Sequence, residues 1–172
     1  MASLMENLMD ILEQENTEYE ALLDLSMKKT RIIVSNDIMQ LSAITEEEQN
    51  RVDQINALDK KREEVMKDIA NVMNMDVQEL KLGKLVEMLS ARPGEQKRLS
   101  AVRDALHTTT QNMSRINAQN KELIENALEL VEFDLNLVRG LKAAPETAEY
   151  TKGAMSAGNL MGISSKRFDA KQ

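Results

Sequence analysis

The feature that most constrains the fold is a regular spacing of apolar residues towards the C-terminal end of the chain. From Leu99 to Leu141 thirteen positions, ten of them apolar, follow one another at steps of three and four residues without a slip. We call this set the first stripe: Leu99, Val102, Leu106, Thr109, Met113, Ile116, Asn120, Leu123, Ala127, Leu130, Asp134, Leu137 and Leu141. Such spacing is typical of a helix that packs along a neighbouring helix. The sequence therefore predicts a long final helix over residues 94–142.

A second apolar stripe runs beside the first one, but only near the end of this helix. We call it the second stripe, and its members are Ile124, Leu128, Val131, Leu135 and Val138. A helix that lies against a single neighbour needs only one narrow stripe. Two explanations are open: the second stripe packs inside the chain, against the first helix or the short module 77–90, or it forms a groove for a helix of another protein.

The composition favours an all-α protein of one domain. The chain has 172 residues, of which 42% are hydrophobic and only 2% aromatic, and it has no tryptophan. Strand-rich folds use aromatic and β-branched residues, whereas this chain uses Leu, Met, Glu, Lys, Gln and Ala. The apolar content is sufficient for a core, which excludes wholesale disorder.

Capping signals divide the chain before the final helix. Thr45 with Glu48 has the pattern of a capping box, and so has Asp76 with Glu79. Pro93 suits the first turn of a helix. The predicted helices cover residues 3–43, 46–74, 77–90 and 94–142. We therefore predict an elongated antiparallel bundle of three long helices over residues 1–145, with a short helical insert between the second and third, and a flexible C-terminal tail over residues 146–172.

The residues offer little for catalysis or for a metal. The chain has no cysteine, which excludes thiol chemistry and disulfides, and its only histidine is His107, one helical turn after Asp104. A single Asp-x-x-His cannot form a di-iron site, which needs two Glu-x-x-His motifs and further carboxylates. No glycine-rich phosphate loop occurs. We predict that the protein is not an enzyme and has no metal site, no catalytic residue and no cofactor.

Charge and hydropathy limit the location and the partners. The net charge of −7 leaves no obvious basic face, so nucleic-acid binding is not expected. The N-terminal stretch "MASLMENLMDILEQEN" carries acids where a signal peptide would carry bases. No segment approaches the roughly 20 apolar residues of a membrane span, so stable membrane insertion is not expected either. The predicted location is the cytoplasm.

Several segments together resemble the FlgN family of flagellar type III export chaperones. The first helix contains "LMDILEQENTEYEALLDLSMKK" and the last one contains "NAQNKELIENALELV". Asn117, Asn120, Leu123 and Ile124 fit the family pattern N-x-x-N-x-x-L-[LI]. Further on, "EYTKG" matches the family's Tyr-x-x-Gly. The resemblance extends over nearly the whole chain.

The resemblance implies a function and two sites. FlgN-like proteins bind hook-associated proteins of the hook–filament junction in the cytosol, shield their terminal helices and deliver them to the export gate or the export ATPase complex. The second stripe would then be the groove for the client helix, and Tyr150 with Gly153 would dock to the export gate. Two alternatives remain at this stage: a structural coiled-coil protein that oligomerises through the same stripe, and a helical adaptor of another secretion system.

Overall fold

The computed structural model describes residues 2–143, and every regular element among them is a helix. Three long helices dominate: α1 (Ala2–Val34), α2 (Ile38–Met73) and α4 (Pro93–Ala143). Between α2 and α4 lies a short insert, made of a 3-10 turn (Val77–Glu79), helix α3 (Leu82–Met88) and a second 3-10 turn (Leu89–Ala91). The prediction of an all-α chain with three long helices and a helical insert is confirmed.

The chain divides into two compact units, Met1–Leu128 and Glu129–Gln172. The described part of the second unit is the C-terminal end of α4, residues 129–143. The predicted division between residues 145 and 146 lies outside the described residues, as do Tyr150 and Gly153, so these remain predictions.

The first unit is a three-helix arrangement in which α2 runs antiparallel to α1 and α4 runs parallel to it. Lys29 near the end of α1 pairs with Glu48 at 2.7 Å, and Glu15 pairs with Arg62 at 3.0 Å, so α2 returns along α1. Arg98 contacts Asp10 at 2.7 Å, and further along both helices Thr30 contacts Asn120. The most deeply buried apolar side chains come from all three helices and the insert: Leu8, Met9, Leu12, Ile69, Leu85 and Leu99.

The break between the first two helices corrects a prediction. It lies at residues 35–37, not at residues 44–45. Asn36 adopts a left-handed conformation (φ 55°), and the Asp37 side chain accepts a hydrogen bond from the Gln40 amide at 3.0 Å as the N-cap of α2. Asn tolerates positive φ and Asp is a preferred cap, so this turn has its own local signals. Thr45 lies inside α2, where its hydroxyl donates to the Leu41 carbonyl oxygen at 2.7 Å.

The other boundary signals agree with the structure. The Asp76 side chain accepts a hydrogen bond from the Gln78 amide at 2.9 Å at the start of the insert, and α4 begins at Pro93. Glu48, the second half of the wrongly predicted capping box, accepts hydrogen bonds from Ser26 and Lys29 of α1 instead. It therefore joins two helices rather than starting one.

The position of the break can be tested by removing each candidate cap. We expect Asp37→Ala to lower the free energy of unfolding by about 1 kcal/mol, because the first turn of α2 loses its side-chain acceptor. Thr45→Ala, at an exposed position within α2, should change it by less than about 0.5 kcal/mol. Urea denaturation followed by circular dichroism measures both. A larger effect at Thr45 than at Asp37 would contradict the observed turn.

Candidate functional site

The C-terminal end of α4 exposes apolar side chains that a folded chain normally covers. Every side chain of residues 129–142 is exposed, and we call this stretch the exposed α4 segment. Its large apolar side chains are between 49% and 70% exposed: Leu130, Val131, Phe133, Leu135, Leu137, Val138 and Leu141. Scattered apolar residues on a surface are ordinary, but a contiguous set of this kind marks an interaction surface.

The members of the second stripe have different environments in the two units. In the first unit Ile124 is half-buried and Leu128 is 59% exposed. In the second unit Val131, Leu135 and Val138 are each about half exposed, at 49%, 50% and 49%. Within residues 2–143 these four side chains are therefore not covered, and the assignment of the second stripe to a groove stays a prediction.

The first stripe is also exposed beyond Leu128, which the sequence interpretation missed. Its last buried member is Asn120, whereas Leu130 and Leu137 are exposed by more than half. The burial ends close to where α1 ends, because Asn120 meets Thr30, one turn before Val34. No spacing within α4 signals this change, because the first stripe continues without a slip to Leu141.

Asn120 is a buried polar residue of the first stripe with both ends of its amide satisfied. The side chain is 4% exposed; its Nδ2 donates to the Ser26 carbonyl oxygen at 2.9 Å and its Oδ1 accepts from the Thr30 hydroxyl at 2.6 Å. A polar residue in a helix seam fixes the register of the two helices at some cost in stability. Asp134, the other polar member near this end, is exposed and makes no comparable contact among the described residues.

A cleft of about 490 Å³ lies beside Asn120 in the first unit. Side chains of α1, α2 and α4 line it: Leu22, Ser26, Lys29, Glu48, Val52, Asn117, Asn120, Lys121, Ile124 and Glu125. Three of these belong to the N-x-x-N-x-x-L-I pattern, namely Asn117, Asn120 and Ile124. The pattern therefore lies at an open surface depression that apolar, polar and charged side chains line together.

Asp104 and His107, the residues considered for catalysis, do not line this cleft. They also make no hydrogen bond to each other. Asp104 accepts hydrogen bonds from Arg103 at 2.9 Å and 2.7 Å, while His107 Nε2 lies 2.9 Å from Gln111 Nε2. Within residues 2–143, no group of three His, Cys, Asp or Glu residues could hold a metal ion. No helix in this described part is long and apolar enough to cross a membrane.

Comparison with models of known protein families gives a match. The family model described as "FlgN protein" matches residues 1–157 of the chain. No curated protein matches the sequence, and no solved structure matches it either. The matched range contains the whole described structure, including the exposed α4 segment.

Proposed function

Because this chain belongs to the FlgN family, whose members are flagellar export chaperones and not enzymes, we propose that its clients are the hook-associated proteins of the hook–filament junction. Chaperones of this family bind flagellar proteins. We further propose that the protein works in the cytoplasm and delivers its clients to the export gate or to the export ATPase complex.

The observation that carries the proposal is the exposure of apolar side chains at the C-terminal end of α4. A client's terminal helix is amphipathic and prone to aggregate when its apolar face meets water, and a complementary apolar surface can cover that face. We place the client-binding residues on the second stripe: Ile124, Leu128, Val131, Leu135 and Val138. The exposure of four of these side chains is what such a role requires.

An export chaperone must also release its client. An interface of the usual size buries about 1,200–2,000 Å² in total. Ordering the client helix on binding offsets part of the interaction energy, commonly by about 2–5 kcal/mol. The expected affinity therefore lies between micromolar and nanomolar, which is tight enough to protect the client and weak enough for transfer.

Isothermal titration of the purified chain with terminal segments of a hook-associated protein tests this proposal. We expect binding at one client per chain, and no binding of a middle segment of the same client, which serves as the matched control. Failure of every terminal segment to bind would refute the proposed clients. A tight oligomer that client segments do not dissociate would instead favour the structural coiled-coil alternative.

Delivery involves a second proposed site, at Tyr150 and Gly153. We expect Tyr150→Ala to leave client binding unchanged but to reduce export of the client by roughly tenfold or more, as for a hot-spot tyrosine. The amount of hook-associated protein secreted by cells, set against the intracellular amount, measures the effect. Thr151→Ala is the matched control in the same segment. Normal export by the Tyr150 variant would show that docking depends on other residues.

A further inference from the structure

The charges of the exposed α4 segment follow an order that the helix itself does not require. Glu129, Glu132 and Asp134 come first, and Arg139 and Lys142 follow; all five are exposed. The dipole of the helix favours bases in its last turn, which accounts for Lys142 and partly for Arg139. It does not account for acids that lie far from the start of α4 at Pro93. The acidic half and the basic half are therefore informative about what lies against the segment.

Glu132 and Arg139 are seven residues apart and so occupy nearly the same angular position on the helix, at one border of Val131, Leu135 and Val138. When two identical helices pack antiparallel, this border meets the same border of the other copy. Each Glu132 then faces Arg139 of the other copy, which gives two ion pairs related by the two-fold axis. A parallel pair would place the two Lys142 ammonium groups against each other within the seam.

We propose that two copies of this chain associate antiparallel through Val131, Leu135 and Val138, with their charges paired in this way. A second copy of the chain fits this surface because the same segment supplies both the apolar stripe and charges of both signs. Each copy therefore complements the other. The pairing has two-fold symmetry, so it closes at a dimer and leaves no open end for further growth.

The size of the contact sets its strength. The segment is roughly 20 Å long, from the helical rise of about 1.5 Å per residue. Two such segments side by side bury on the order of 1,000 Å² in total, the lower limit for specific interfaces. The dimer is therefore weak and reversible. It covers the apolar stripe while no client is present, and a client with a larger interface displaces it; this last consequence depends on the proposed function.

Sedimentation velocity of the full chain over micromolar to submillimolar concentrations tests the dimer. We expect a monomer–dimer equilibrium whose dissociation constant rises at least about fivefold in Arg139→Glu, because two ion pairs become repulsive contacts. The charge swap Glu132→Arg with Arg139→Glu should restore it. Lys67→Glu makes the same charge change at an exposed site on α2 and should have little effect. A monomer at all concentrations, or a swap that restores nothing, overturns the proposal.

Cross-linking tests the orientation, since the chain has no cysteine. A mixture of Leu135→Cys chains and Val138→Cys chains should form the mixed disulfide under mild oxidation. Val131→Cys alone should not link to itself, because the antiparallel arrangement separates the two copies of this residue. Efficient self-linking of Val131→Cys would show a parallel pair and overturn the antiparallel arrangement. Client binding is measured separately, so failure of the dimer and failure of the chaperone function are distinguishable.

Discussion

Val131→Asp is expected to abolish the binding of client terminal segments while the chain stays folded. The Val131 side chain is 49% exposed in the free protein, so a carboxylate there remains hydrated. In the complex it would be enclosed against an apolar helix face. Removing an unpaired charge from water costs roughly 3–5 kcal/mol, so the affinity should fall by at least about a hundredfold.

Val102→Asp is the matched control, because it makes the same change on the same helix at a buried site. Val102 is 7% exposed and belongs to the main core cluster. We expect this variant to be severely destabilised or unfolded. Thermal unfolding by circular dichroism and titration with the client segment together decide the matter. If Val131→Asp also unfolds, the second stripe is core; if it binds normally, the client site lies elsewhere.

Arg62→Ala is expected to produce a large loss of stability at neutral pH. Arg62 Nε contacts the carboxylate of Glu15 at 3.0 Å, and Glu15 is only 4% exposed. Burial raises the pKa of Glu15, and the charge of Arg62 opposes that rise. Without the guanidinium, the carboxylate remains buried between α1 and α2 with no compensating charge. We expect the free energy of unfolding at pH 7 to fall by about 2–4 kcal/mol, somewhat below the loss for a fully buried pair.

The pH dependence identifies the cause of this loss. A carboxyl group whose pKa is raised by folding favours the folded state when protonated, so its contribution is lost as the pH rises through the folded pKa. The deficit of Arg62→Ala should therefore shrink when urea denaturation is repeated near pH 4.5. Arg51→Ala breaks a more exposed pair, Arg51–Glu18 at 2.9 Å, and should cost less than about 1 kcal/mol. A deficit that is equal at both pH values would exclude burial of charged Glu15 as the reason.

Much of the architecture follows from local patterns. The spacing from Leu99 onwards predicts α4 because an apolar residue at every third or fourth position has few other uses. The first turn was misplaced because two local signals compete. Thr45 and the acids after it have the pattern of a helix start, yet the Asn36-Asp37 pair satisfies the backbone better, through a left-handed residue and a side-chain cap. Glu48 then serves a tertiary contact, which no local pattern reveals.

The candidate site was only partly predictable for a related reason. Periodicity shows which residues share a face of a helix, and Val131, Leu135 and Val138, which it groups, are exposed to nearly the same degree on α4. It does not show whether a neighbouring helix is long enough to reach that face. Leu130 and Leu137 belong to the regular first stripe and were expected to be packed, but they are exposed. Their exposure is a property of the folded structure that the spacing of residues along one helix does not contain.

The hydrogen bonds of Asn120 have a mechanical consequence. If α4 slid by seven residues along α1, Met113 or Ala127 would take the place of the amide, and both hydrogen bonds that Asn120 makes with α1 would be lost. A hydrogen bond of this kind contributes about 0.5–1.5 kcal/mol to stability, so the loss of both disfavours such sliding. Asn120 thus fixes the alignment of α4 along α1, and with it which side chains of the two helices face each other in the first unit.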